Sequence, residues 1–266
     1  MRHWTSDDIP WGAFDASKLD ADILLLIKAA SLVERNAGDY TRYLKMVFRD
    51  EPAFLAIADA WEGDEVQHGE ILGRYARMAD PDFDFPSRFA RFVGGYHIPE
   101  GSGNSVRGSL TGELIARCIV ETGTSSMYSA LRDATDEPVL KEICHRIAGD
   151  EFRHYKMFYE LMRGLKEREG LHVFRRLMIA VGRIRETDDD ELAYAWYAAN
   201  EPADAPYDHD RCYHAYSTSA FRHYRDMHAE RAVNMIMKAV GLNPHGWLGA
   251  RAKTFAKRKM LSLSAA

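Results

Sequence analysis

Two stretches of the sequence, GDEVQH at 63–68 and GDEFRH at 149–154, write Gly-Asp-Glu-x-x-His twice, 86 residues apart. The turn ahead of each is also written twice: Asp50-Glu51-Pro52 maps onto Asp136-Glu137-Pro138 at the same offset. A motif copied together with its turn predicts two helical hairpins built alike. Proline suits the first turn of a new helix, and Asp50 can cap it. Reflecting Glu65 about Asp50 lands near residue 35, where Glu34 stands, and reflecting Glu151 about Asp136 lands on Glu121. At a rise of about 1.5 Å per residue, each reflected pair returns to nearly one height in an antiparallel hairpin. Leu32-Val33-Glu34 rhymes with Ile119-Val120-Glu121, and the first-helix offset of 87 instead of 86 puts one extra residue in one hairpin.

Residues three apart share a helical face, so Glu65 with His68, and Glu151 with His154, can point inward together. Four carboxylates and two imidazoles at one level of a bundle are the donor set of a di-iron or di-manganese centre. The recurring pattern is one Glu from each of two helices and a Glu-x-x-His from each of the other two. Carboxylate oxygens suit Fe and Mn, and imidazole tolerates both. Without a metal, four buried carboxylates would repel one another and carry a heavy desolvation cost. The expected ligands are therefore Glu34, Glu65, His68, Glu121, Glu151 and His154, around two Fe ions (Fe2+/Fe3+) with Mn as the alternative. Asp64 and Asp150 are read either as partners of the far ring nitrogens of the imidazoles or as solvated helix charges. Glu-x-x-His also occurs at Glu142/His145 and Glu169/His172. Glu142 lies half a turn out of phase with Glu151, and Gly170 interrupts the other pair, so both read as surface positions. His214, His223 and His228 match no familiar ligand spacing and read as surface histidines.

Apolar residues recur at helical steps through most of the chain, as in Ile23, Leu26, Ile27, Ala30, Val33, Ala37, Tyr40, Leu44 and Val47. Helices are expected at about 19–49, 52–78, 109–134 and 138–169, then at 171–186, 189–199, 209–240 and 246–261. The link at 80–108, with Pro81, Pro86, Pro99, Gly94, Gly95, Gly101 and Gly103, reads as a long crossover of the kind that often carries function. The expected fold class is all-α: one domain over 1–266, with a four-helix core at about 19–168 and a C-terminal helical extension at about 171–262. Apolar residues at 46% and charged residues at 28% fit a globular chain, and a net charge of −5 argues against a general nucleic-acid binder. No apolar run approaches the roughly 20 residues of a membrane span, and the start, MRHWTSDDIPW, lacks a signal-peptide core. The three cysteines form no C-x-x-C pair and read as reduced thiols, which makes a cytoplasmic location the expectation.

The stretch from Trp61 to Leu72 resembles the first iron motif of soluble acyl-carrier-protein desaturases. There too a Trp stands one turn before the ligating Glu, and the His is followed by Gly and an acidic residue. ICHRIAGDEFRH, 143–154, is similar to that family's second motif, and Glu121-Thr122-Gly123-Thr124 resembles its third-helix Glu with a Thr three residues later. The resemblance covers about residues 20–168 and implies a ferritin-like four-helix bundle that activates dioxygen at two irons to desaturate or hydroxylate an apolar substrate, an acyl-carrier-bound chain being one option. It implies a catalytic Thr124 beside the oxygen-binding face, an electron route or a plain core packing role for Trp61, and a homodimer. Electrons would come from an external ferredoxin-like donor or reductase, because the chain has no haem motif, C-x-x-C iron site or nucleotide-binding Gly-rich loop. The basic segment Arg251, Lys253, Lys257, Arg258, Lys259 reads as a dock for an acidic carrier or donor, or as a solvated helix end. The rival reading is a rubrerythrin-like peroxide reductase or a ferroxidase and iron-handling protein.

Overall fold

The computed structural model describes residues 4–97, 103–186 and 190–264. Pro99 and Gly101 of the link, and the expected helix start at Asp189, lie outside the described residues. Among the described residues the chain is all-helical, with no strand. Its helices are α1 (Ala21–Arg35), α2 (Ala37–Val47), α3 (Pro52–Ala79), α4 (Phe85–Gly95), α5 (Leu110–Ala134), α6 (Pro138–Glu169), α7 (Val173–Arg185), α8 (Asp190–Asn200), α9 (His209–Phe221), α10 (Asp226–Val240) and α11 (Trp247–Ser264). None of them is long and apolar enough to cross a membrane.

The two expected hairpins form. α1 and α2 pack against α3, α5 packs against α6, and α3 meets α6 across the middle. The connection before α6, 135–137, is one residue shorter than that before α3, 48–51, which locates the extra residue of the first hairpin. The N-cap positions are Glu51 and Glu137, not Asp50, and only Glu137 makes a capping bond. Glu137 accepts from Val139 N–H at 3.3 Å and Leu140 N–H at 2.7 Å, whereas Glu51 makes no capping bond and pairs with Arg168. Gly170, at φ 62°, ends α6 in the left-handed conformation that glycine adopts at least cost. Glu169 is no idle surface charge. It accepts from the N–H groups of Leu110 and Thr111, at 3.0 and 2.8 Å, and so caps α5 from the far end of its own hairpin.

Three expected boundaries are corrected. The helix expected over 19–49 is interrupted at Asn36, whose φ −86° and ψ 13° leave the helix and whose N–H closes a tight turn onto Val33 C=O at 3.0 Å. The helix expected over 209–240 is two. His228 accepts from Arg225 N–H at 3.0 Å and caps a new start at Asp226. The link at 80–108 contains α4, begun by Asp84, which accepts from Ser87 N–H at 3.3 Å, and by Pro86 in the first turn. Both residues were visible signals of a helix.

The core has two apolar layers. One, with Leu26, Ile27, Leu72, Tyr75, Leu131 and Ile143, fills one end of the hairpin pair. The other, with Leu44, Phe48, Phe54, Leu114, Ile115 and Phe158, fills the other end. Between them lies a layer that is polar and almost fully buried, and Gly69 lets the first hairpin close there. A Cβ at Gly69 would sit 2.4 Å from Arg35 N. The later helices cover this assembly, with α8 on α1 and both α7 and α10 on α5. Lys257 bonds Asp226 and Glu230, each at 2.7 Å, so part of the basic C-terminal segment is spent fastening α11 to α10.

Candidate metal centre

The polar layer consists of the six side chains singled out from the sequence. Glu34 comes from α1, Glu65 and His68 from α3, Glu121 from α5, and Glu151 and His154 from α6. All six are at most 7% exposed. Their donor atoms fall into two groups, Glu34–Glu65–His68–Glu151 and Glu65–Glu121–Glu151–His154, with the atoms of each group within 4.8 Å of one another. Glu65 and Glu151 belong to both. His68 Nδ1 lies 3.2 Å from Glu151 Oε1, and His154 Nδ1 lies 3.1 Å from Glu65 Oε1, so each imidazole faces the carboxylate of the opposite hairpin. The ring centroids are 6.1 Å apart.

The aspartates of the doubled motif hold the imidazoles crosswise. Asp150 of α6 takes Nε2 of His68 on α3, and Asp64 of α3 takes Nε2 of His154 on α6, both at 3.1 Å. Of the two readings of these aspartates, the structure shows the partnered one. With Nε2–H donated to a carboxylate, Nδ1 is the ring nitrogen left facing the cluster, and once deprotonated it offers a lone pair there. Arg153 pairs with Asp150 and stands 3.9 Å from Asp64, joining the two supports. Asp150→Asn is expected to weaken metal binding about 10- to 100-fold, since an amide no longer enforces that tautomer. Competition against a chelator of known affinity measures it, and an unchanged affinity would strip Asp150 of this role.

The donor set fits a metal pair on a direct observation: Nδ1 of His68, Nδ1 of His154 and Oε1 of Glu151 are buried with no hydrogen-bond partner. Stranding three such atoms inside a packed core is costly unless something else binds them. Two divalent ions would cancel the four glutamates and take up all three. Titration behaviour shows the same crowding. Burial, then the neighbouring Glu65, pushes Glu34 up to about 8. Burial, then Glu151 and Glu65 acting against His154, does the same to Glu121, also to about 8. Glu151 is raised by burial and by Glu65 and Glu34. Burial would raise Glu65 too, but the imidazoles of His154 and His68 beside it outweigh burial and hold Glu65 well below the usual range. Burial would lower both imidazoles, yet the surrounding carboxylates, Asp150 first for His68 and Asp64 first for His154, hold them well above theirs.

Several neighbours escaped the sequence reading. Tyr128 O–H donates to Glu34 Oε1 at 2.6 Å. It lies two helical turns after Glu121, a spacing that would have placed it on the inward face. Trp4 donates its indole N–H to Asp150 at 2.7 Å and stacks on His68 at 6.1 Å. No spacing rule connects residue 4 to the motifs. Trp61, by contrast, packs edge-on to Phe158 at 5.5 Å, and its N–H is buried with no hydrogen-bond partner. Trp4, not Trp61, is thus in bonded continuity with a cluster imidazole. Thr124 donates to Glu151 Oε2 at 2.5 Å. Glu142 pairs with Arg146 at 2.6 Å, away from the cluster. His214 is exposed, but His228 is not the surface residue expected. It is 3% exposed and bonded to Asp133 at 3.1 Å.

One face of the cluster opens on a cavity of about 70 Å³ lined in part by Glu34, Glu65, Glu121, Glu151, Thr124 and Arg117. Arg183 of α7 and Glu191 of α8 also line it, so the C-terminal extension shapes access. No protein-family model matches the chain, and no curated protein matches it.

Proposed function

We propose that the chain is a di-iron carboxylate oxidoreductase of the ferritin-like kind that uses dioxygen to oxidise a C–H bond. The observation that carries the reading is the set of unpartnered inward atoms on His68, His154 and Glu151, sealed between two apolar layers. Bound iron would supply the binding and reductive activation of dioxygen. The residues supply the rest. Glu34, Glu65, Glu121, Glu151 and the two Nδ1 atoms hold the ions. Asp64 and Asp150 fix the imidazoles, and the apolar layers exclude bulk water. Thr124 presents its hydroxyl at the cavity face while bonded to Glu151, where it can hold or pass a proton at Oγ1. Electrons would arrive from an external donor, and the bonded line Trp4–Asp150–His68 is the side of the cluster best connected for it.

Anaerobic loading with ferrous iron tests the reading. About two irons per chain, followed by reductant-dependent oxygen uptake, supports it. Fast removal of hydrogen peroxide at the expense of a reductant would move the assignment to a rubrerythrin-like enzyme, and accumulation of many irons per chain to iron handling. A chain that binds no metal ends all three. Thr124→Val is expected to bind iron normally but to oxidise it at least about 10-fold more slowly in stopped-flow mixing with oxygen. Unchanged oxidation kinetics would remove Thr124 from the chemistry.

A further inference from the structure

We propose that the cavity beside the cluster binds a short-chain carboxylic acid, with its carboxylate held by Arg117. This rests on the di-metal reading above and names the substrate class for that site.

Arg117 stands on α5 one turn before Glu121 and lines the same cavity as Glu121, Glu151 and Thr124. It is 6% exposed. Its guanidinium lies over the rings of Tyr40 and Trp61, 4.9 and 5.8 Å from their centroids. Among the described residues it has neither a hydrogen bond nor an ion pair. A buried guanidinium with its fork of donors uncommitted is costly, and a carboxylate matches that fork with two parallel hydrogen bonds.

Charge balance favours an anion. Once two divalent ions cancel the four glutamates, the cavity wall carries Arg117, with Arg183 paired to Glu186 at 4.0 Å and Glu191 engaged by Tyr40. Tyr40 O–H is already directed to Glu191, at 3.0 Å. Size favours a small molecule, since about 70 Å³ is well under the roughly 300 Å³ at which drug-sized sites begin. A long acyl chain would have to extend beyond that space. The remaining wall is aliphatic, from Val33, Ala37 and Val120, and suits a short hydrocarbon stem. The helical rise puts Arg117 about 6 Å along α5 from Glu121. An acid gripped at Arg117 would therefore direct its carbon chain toward the metal ligands and Thr124.

The test is calorimetric titration of the full chain, loaded anaerobically with ferrous iron, with butyrate, butyramide and decanoate. Butyrate is expected to bind at least about 10-fold more tightly than the other two, and Arg117→Met to weaken it about 30-fold or more. Arg117→Lys keeps the charge but not the fork and is expected to fall between. It carries the comparison if Arg117→Met fails to hold iron or fold. Butyrate binding that survives both substitutions would place the carboxylate on the metals and overturn the assignment. So would butyramide binding as tightly as butyrate, or no butyrate binding by a chain that holds its two irons. Decanoate matching butyrate would overturn the short-chain class. A chain that takes up no iron fails earlier, on the metal centre itself.

Discussion

Glu65→Ala and Glu151→Ala are each expected to empty both metal positions, taking the purified chain from about two ions to nearly none. Glu34→Ala and Glu121→Ala should each spare one. The asymmetry follows from the geometry: Glu65 and Glu151 contribute to both donor groups, whereas Glu34 and Glu121 contribute to one apiece. Removing a shared carboxylate also leaves one Nδ1 without the oxygen that faces it across the hairpins, that of His154 at 3.1 Å for Glu65 and that of His68 at 3.2 Å for Glu151. Elemental analysis after dialysis reads the result directly. Glu142→Ala serves as the control, since it leads to Arg146 and not to the cluster, and it should keep both ions. If Glu65→Ala kept its full complement, or Glu142→Ala lost it, the donor set would have been placed on the wrong face.

The second large effect is an inversion of pH dependence between the metal-free and metal-loaded protein. In the metal-free fold, Glu34 and Glu121 titrate at about 8, up from 4.5, and Glu151 is raised in the same direction. A carboxyl whose folded value is raised contributes stability that is fully present below its unfolded value and is lost as pH rises through the folded one. Both imidazoles are raised as well, so their contribution is present below about 6.5 and is also lost on going up. Glu65 and Asp150 are lowered, and their contributions vary only below their ordinary values, outside this window. The metal-free protein should therefore melt at progressively lower temperature between about pH 5 and pH 8.

Metal binding requires the same groups deprotonated. Loading near neutral pH should release about four protons, from Glu34, Glu121, His68 and His154, and affinity should climb steeply with pH over the same interval. The loaded protein should accordingly gain stability where the metal-free protein loses it. Thermal melts of both forms at matched pH values, with a pH-stat count of released protons, check this. Parallel curves, or fewer than about one proton released per pair of ions, would contradict the crowded-carboxylate picture.

Much of the buried cluster was legible because its side chains obey two local rules. A helix repeats its face every three to four residues, which paired Glu65 with His68 and Glu151 with His154. A hairpin returns to the same height at equal distance from its turn, which found Glu34 and Glu121 although neither belongs to the doubled Gly-Asp-Glu-x-x-His motif. The break at Asn36 lies beyond Glu34 on the path to the turn and did not spoil that reflection, because α2 resumes at the very next residue. The local signals that were misread were caps and breakers. Asp84 with Pro86 announced α4, and His228 restarts a helix where periodicity alone ran straight through.

Contacts that join distant segments were beyond any local rule. The crosswise exchange of Asp64 and Asp150, the indole of Trp4 on Asp150, and Arg183 and Glu191 on the cavity wall depend on which helices become neighbours and how they are rotated. The amino-acid sequence by itself determined the helices, the two hairpins and the six inward donors, because each follows from spacing along one helix or about one turn. Only the tertiary structure decided which aspartate supports which imidazole, that a tryptophan from the N-terminal segment caps one of them, and that the space at the cluster is small and lined by Val33, Ala37 and Val120 together with Arg117, Arg183 and Glu191. Those features are set by the packing of separate helices, whose rotations and distances no periodicity within a single segment contains.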